Sequence, residues 1–324
     1  MRIYAAHDLS SLPGTEPDVT YAYDNFGRLT SASQTGNALS FTWDALSRNL
    51  TQAGPQGSAS YTYDAAGRRT QLTYPGTGLF VNSDYLVTGE VTKVRENGAT
   101  TGVGVLATYT YDNLGNRLST TFGNGAAQGF TFDPVSRLSQ LTNDLSGTTN
   151  DLTATFAYSP ASQIASTVRT GDTYAWTGHG NGSTAFVQNG LNQQTSIGGA
   201  AAAWDTKGNL VTEAQTAKTY GYSSENLLIS ASGGVTLGYD PLLRLYNVNG
   251  ATTTRFAYDG LNAIAEYNAP NVLQRRFVFG PAVDEVIVQY EGTGTTASSR
   301  ANIARYRSAQ ALNGVRGSAS CYPI

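Results

Sequence analysis

Asp and Arg recur in this chain at one fixed spacing. In Tyr21-Ala22-Tyr23-Asp24-Asn25-Phe26-Gly27-Arg28-Leu29 a carboxylate precedes a guanidinium by four residues. The pair returns as Asp44 with Arg48, Asp64 with Arg68, Asp133 with Arg137 and Asp240 with Arg244. An Asp after a strand accepts hydrogen bonds from the next backbone N–H groups, an Asx-type turn. The Arg is then placed to reach back to the Asp or to lie over a Tyr ring. One active site would use such a pair once, so repetition marks it as structural.

Other constellations are set aside. His7 and His179 are the two His residues, and a Ser-His-Asp triad would need one of them. His179 lies in the Gly-rich run Thr177-Gly178-His179-Gly180-Asn181-Gly182, which reads as a solvated loop. Two His and the single Cys321 do not make a structural zinc site. The Gly run lacks the strand–helix context of a dinucleotide fingerprint, and calcium-binding nonapeptides are absent. Asp284-Glu285 is a paired-carboxylate candidate for glycoside chemistry. It precedes Val286-Ile287-Val288 and reads as the start of a strand. No catalytic, cofactor or metal residue is assigned.

Strands must position the repeated residues. Aromatics two apart share one strand face, as in Tyr21/Tyr23, Phe41/Trp43, Tyr61/Tyr63, Tyr109/Tyr111 and Phe130/Phe132. Gly27, Gly67 and Gly115 supply a positive φ at the end of the turn. Arg28-Leu29-Thr30 then begins a return strand, so each unit is a β-hairpin. Weaker copies carry Tyr158-Ser159, Trp204-Asp205, Tyr222-Ser223, Tyr239-Asp240 and Tyr258-Asp259. The Asp positions 24, 44 and 64 are followed by 112, 133, 159, 205, 223, 240 and 259. The two long gaps each have room for a degenerate unit, around Gly89 and at Tyr174-Ala175-Trp176-Thr177. The chain therefore holds roughly twelve units of about 20 residues. The Gly position becomes Ser47, Ser136, Ser162, Asn226, Leu243 and Asn262. Leu is ill suited to left-handed geometry, which predicts a different turn at Asp240-Pro241-Leu242-Leu243.

Composition agrees with an all-β chain. Of 324 residues, 36 are Gly and 20 are Tyr, while only 13% are charged. The net charge of −3 gives no global pull toward nucleic acid. No apolar run is long enough for a membrane-spanning helix, and the start Met1-Arg2-Ile3-Tyr4-Ala5-Ala6 does not read as a signal peptide.

The eight-residue word Tyr-x-Tyr-Asp-x-x-Gly-Arg, nearly intact at Tyr21–Arg28 and Tyr61–Arg68, resembles the YD repeat of the RHS family. That family includes bacterial RHS polymorphic toxins, the C components of insecticidal toxin complexes and the related teneurins. The resemblance covers about residues 18–290 and touches Leu191-Asn192-Gln193 and Arg275-Arg276-Phe277-Val278-Phe279-Gly280-Pro281. It implies a ribbon of antiparallel strands coiling into a hollow shell that, in bacteria, encloses a toxic C-terminal domain. The autoproteolytic Asp-Pro-x-Gly word of such cores is not present. Asp133-Pro134 and Asp240-Pro241 continue with Val135-Ser136 and Leu242-Leu243, inside repeats.

The expected organisation is a lead-in linker over 1–17, a repeat array over 18–290 and an atypical tail over 291–324. The tail holds no acidic residue after Glu291 and reads as disordered, or as a different reading frame fused to a truncated array. The expected fold is all-β, an extended antiparallel hairpin array forming part of an RHS-type shell. The expected function is a non-enzymatic scaffold enclosing a toxin or cargo domain, without cofactors. Its partners are then the remainder of the core and that cargo, and its place is outside the cell or on the bacterial surface. The alternative is an adhesive or carbohydrate-binding surface array, with glycans stacked on exposed Tyr and Trp.

Overall fold

The computed structural model describes residues 18–147, 149–171, 178, 180–295 and 299–302. The chain folds as successive antiparallel hairpins, and Gly102–Gly104 forms a short 3-10 turn. Every sheet keeps its strands in chain order, with no crossover. The expected all-β hairpin array is what the chain forms.

Alternation explains the strands. Along Asn37–Trp43, Asn37, Leu39 and Phe41 point inward while Ala38, Ser40 and Thr42 face out. Gly57–Tyr63 buries Ala59 and Tyr61 in the same way. This period of two leaves one apolar face to cover and one polar face for solvent. Two turn classes recur among the links between strands, beside longer ones such as that from Glu96 to Val105. Five-residue turns follow the Tyr-x-Tyr words. Two-residue turns close other ends, as where Gln34 pairs with Asn37 and Gly54 with Gly57.

The chain divides into two compact units. One comprises the described part of Met1–Tyr61 with Tyr74–Thr77 and Gly180–Arg275. Within it, early hairpins bond to late ones. The Tyr21 hydroxyl donates to the Pro241 carbonyl at 3.1 Å. The Gln34 and Gln52 side-chain amides donate to the Tyr239 and Tyr258 carbonyls at 2.7 and 2.9 Å. Its buried residues include Ala32, Leu39, Phe41, Phe256, Ile264 and Tyr267.

The other unit comprises Thr62–Thr73 and the described parts of Gly78–His179 and Arg276–Ile324. It buries Leu72, Val81, Val94, Leu106, Tyr109, Phe122, Val278, Ile287 and Tyr290. Arg117 forms a salt bridge with Glu285 at 2.5 Å. Glu285 precedes the strand Val286–Glu291, as its sequence context suggests. The strand Arg300–Asn302 pairs with Val286–Glu291, so regular structure continues past residue 291. Arg300 is held by Glu96, and the same carboxylate accepts from the Tyr290 hydroxyl. Residues 1–17, Tyr174-Ala175-Trp176-Thr177, His7, His179, Cys321 and the tail from 303 onward lie outside the described residues.

Candidate functional site

Where Asp precedes Arg or Asn by four residues, that Asp closes the repeat turn. The Asp24 Oδ1 accepts from the Phe26 and Arg28 backbone N–H groups at 2.9 and 3.0 Å. Oδ2 accepts from the Arg28 guanidinium Nε at 2.6 Å. Backbone bonds from Gly27 to Asp24 and from Asp24 to Arg28 complete the loop, both 3.0 Å long. Gly27 holds φ at 77°, the left-handed region that favours glycine. The register slips between Ala22 and Tyr23, a β-bulge that sets Tyr23 opposite Leu29.

The same closure recurs. Guanidinium–carboxylate bonds join Arg48 to Asp44, Arg68 to Asp64, Arg137 to Asp133 and Arg244 to Asp240 at 2.6 to 2.7 Å. At Asp112 and Asp205 the partner is Asn116 or Asn209. Gly67 and Gly115 hold φ at 81° and 79°. The arrangement depresses the carboxyl pKa values. At Asp44, Asp64 and Asp133 the largest cause is the backbone N–H of the paired Arg. At Asp112 and Asp205 it is the side-chain amide of the paired Asn. At Asp24 partial desolvation is the largest single influence and acts upward, but the Arg28 bonds together outweigh it.

Leu243 corrects an expectation. Its φ is 61°, and its N–H bonds to the Asp240 carbonyl at 2.8 Å, as Gly27 does to Asp24. The Asp240 Oδ1 also accepts from Leu242 and Arg244, at 2.9 and 3.0 Å. The bond set of the turn outweighs the steric cost of a left-handed Leu, about 1–2 kcal/mol. The turn that differs is at Asp259. Asp259 pairs directly with Asn262, the two-residue loop being Gly260-Leu261, with Gly260 at φ 59°.

Successive turns are then stapled together. The Arg28 Nη1 donates to the Asp44 carbonyl at 2.7 Å. Arg68 donates to the Leu86 carbonyl and Arg244 to the Gly260 carbonyl, both at 2.6 Å. Arg137 reaches the Ser162 hydroxyl at 3.2 Å. Arg28, Arg68, Arg137 and Arg244 therefore close their own turns and bind the next one.

In seven of the units the Tyr or Trp that ends the strand completes the staple from the other side. Its ring polar group donates to the carbonyl just after the preceding Arg position. Trp43 donates to Leu29 at 2.8 Å, Tyr85 to Arg69 at 2.7 Å and Tyr111 to Val91 at 2.9 Å. Tyr158 donates to Leu138 at 2.7 Å, Trp204 to Gln194 at 2.9 Å, Tyr239 to Leu228 at 2.9 Å and Tyr258 to Leu245 at 2.6 Å. The guanidinium groups of Arg68, Arg137 and Arg244 lie over the rings of Tyr85, Tyr158 and Tyr258, 4.6 to 4.9 Å from the centroids.

The first aromatic packs inward. Phe41, Tyr61, Tyr109 and Phe256 are buried, while Tyr21, Tyr63 and Phe132 are partly exposed and Tyr23 is exposed at the first described strand. The structure thus gathers Asp, Arg and the second aromatic into one ladder along each run of turns. Two turns of the same form are not among the copies read from the sequence. Asn189 accepts from Leu191 and Gln193, and Asn268 accepts from Val272. Asn192 and Asn271 take the left-handed position at φ 60° and 63°. At Leu86, in the degenerate unit expected around Gly89, backbone bonds alone close the loop. The signal at 189 and 268 is Asn standing in for both Asp and Gly.

A ladder of paired charges and satisfied carbonyls offers rigidity and lateral cohesion. Among the described residues no group of His, Cys, Asp and Glu is placed to hold a metal ion. No helix of the described residues is long and apolar enough to cross a membrane. The matched family agrees with the geometry. Residues 43–78, from the Trp43-Asp44 turn through the Asp64–Arg68 turn, match the family described as RHS Repeat.

The chain carries an RHS repeat.

No curated protein matches it. Among solved structures, the crystal structure of TcdB2-TccC3-Cdc42 is 14% identical, with 82% of this chain and 18% of that chain covered and a TM-score of 0.48. The Photorhabdus luminescens Tc holotoxin pore is 13% identical, with the same coverage and a TM-score of 0.48. This chain spans 18% of the length of those chains. The RHS repeat thus corresponds here to a hairpin whose Asp closes the turn and whose Arg binds its neighbour.

Proposed function

We propose that the chain is a scaffold segment of an RHS-type shell enclosing a toxin or cargo domain, with no catalysis of its own. The observation that carries the reading is the turn-to-turn staple, from Arg28 to Asp44, Arg68 to Leu86 and Arg244 to Gly260. A wall needs each hairpin to grip the next without a unique centre, and this linkage extends by repetition. The array over 18–290 is the wall, 1–17 leads into it and the segment from 291 follows it. Its partners are the remainder of the core and a C-terminal cargo domain, and it works outside the cell or at its surface.

The ring chemistry supports this reading over an adhesive array of exposed aromatics. Trp43, Tyr111, Tyr158, Trp204, Tyr239 and Tyr258 turn their polar groups to neighbouring backbone, while Tyr61 and Tyr109 are buried. The test is limited trypsinolysis of the native protein with whatever polypeptide it carries. A co-purifying domain that resists cleavage until the strands unfold supports enclosure. A domain cleaved at the rate of its isolated form, or no associated domain in the native source, contradicts it.

A further inference from the structure

The second unit buries a carboxylate at the end of the strand Val91–Glu96. Glu96 is 8% exposed and accepts from the Tyr290 hydroxyl and from the Arg300 guanidinium, which lies 204 residues further along the chain. A buried carboxylate is tolerated with a counter-ion and hydrogen bonds, and is costly without them. Here the counter-ion comes from the strand Arg300–Asn302, the last of its sheet, which pairs along three residues with Val286–Glu291. So short a strand at a sheet edge contributes little holding of its own. Its hold is the Arg300 side chain.

The receptor for that side chain is built from several elements. Besides binding Glu96, Arg300 donates to the Val103 carbonyl at 2.6 Å and to the Thr295 carbonyl at 3.2 Å. A Cβ at Gly123 would stand 2.7 Å from the Val103 carbonyl oxygen, so glycine there leaves this acceptor its place. The Tyr290 ring centre lies 5.5 Å from the Arg300 guanidinium and 5.2 Å from that of Arg276. Arg276 is fully buried and donates to the Gly292 and Gly294 carbonyls at 3.1 and 2.7 Å. The stretch after Val286–Glu291 therefore gives one buried arginine its acceptors and one buried carboxylate its cation. It does so across the junction where Val286–Glu291 packs against Val105–Tyr111.

We propose that Gly292, Gly294 and Arg300–Asn302 act as a closing strap on the second unit. With the strap docked the early and late strands of the unit are held together, and with it undocked they open as one cooperative piece. The device belongs to the second unit alone and does not rest on the enclosure of a cargo.

The test is amide hydrogen exchange of the whole chain against Arg300→Gln, which leaves Glu96 buried without its cation. Exchange rises by at least about tenfold in Val91–Glu96, Val105–Tyr111 and Val286–Glu291 together, while Asn37–Trp43 of the first unit keeps its rate. Adding Glu96→Gln removes the stranded charge and slows the exchange again. Arg300→Lys, which keeps the charge and loses the fork, serves with the same three strands as readout if Arg300→Gln does not fold. Faster exchange confined to Arg300–Asn302, or spread equally into Asn37–Trp43, overturns the proposal, and so does a double variant no slower than the single one.

Discussion

The Arg244 guanidinium lies 4.6 Å from the centre of the Tyr258 ring, and the Tyr258 hydroxyl bonds to the backbone beside it, at Leu245. Arg244 at the same time holds Asp240 and the Gly260 carbonyl. One side chain thus closes a turn, grips the next and carries an aromatic ring. Arg is suited to this because its planar fork serves several acceptors while its face stacks.

Arg244 is accordingly a severe position. Arg244→Ala leaves the nearly buried Asp240 carboxylate without its counter-ion and costs about 3 kcal/mol. Arg244→Lys keeps the charge but loses the fork and the stacking, and recovers less than half of that loss. Urea unfolding of the two variants measures this. A Lys variant as stable as the parent would show that charge alone matters.

Leu243 carries strain that glycine removes. Its φ of 61° is unfavourable for a side chain bearing a Cβ, and it is 53% exposed, so little packing is lost. Leu243→Gly gains about 1–2 kcal/mol of relieved strain and loses about 0.5–1 kcal/mol to chain entropy. The expected outcome in urea unfolding is a slightly more stable protein. The equivalent change of Gly27 to Leu is destabilising.

Legibility followed local chemistry. The Tyr-x-Tyr-Asp word announced strand and turn because period two and the Asx turn are properties of a few neighbouring residues. The Arg28-to-Asp24 bond was equally open, since both groups lie within one turn. The bonds between turns were not. That Arg68 reaches Leu86, or that Tyr111 donates to Val91, depends on which strands lie side by side and in what register. The left-handed Leu243 was misjudged because steric preference was weighed without the five hydrogen bonds that close its turn. Asn189 and Asn268 are not legible as copies because Phe186-Val187-Gln188 and Ala265-Glu266-Tyr267 before them lack the aromatic pair.

Acid should weaken the ladder. Asp24, Asp44, Asp64, Asp112, Asp133 and Asp205 all have carboxyl pKa values lowered by folding. Their contribution is complete above the unfolded value, near about 4, and is lost as pH falls through the folded values. Circular dichroism against pH should show stability flat from neutral to mildly acidic conditions and falling below about pH 4. Stability that improves on acidification contradicts the pairing.

Alkali probes the tyrosines. Burial, the largest cause, raises Tyr258 to about 12 and pushes Tyr109 and Tyr290 up further. A raised tyrosine pKa gives stability that is full below the unfolded value, near about 10, and lost as pH climbs through the folded one. Phenolate absorbance at about pH 11 should therefore report these three rings still neutral in the folded chain. Full ionisation of all tyrosines while the strands persist contradicts their burial.

Arg28, Arg68, Arg137 and Arg244 each hold the turn of the neighbouring repeat. That linkage is tested most directly by amide hydrogen exchange of the parent against Arg68→Gln. The account predicts faster exchange at Asp64 to Arg68 and also across the next hairpin, Phe80–Tyr85 and Val91–Glu96, because Arg68 binds Leu86 and stacks on Tyr85. Faster exchange confined to Asp64 to Arg68, with the next hairpin unchanged, would show that the Arg closes only its own turn.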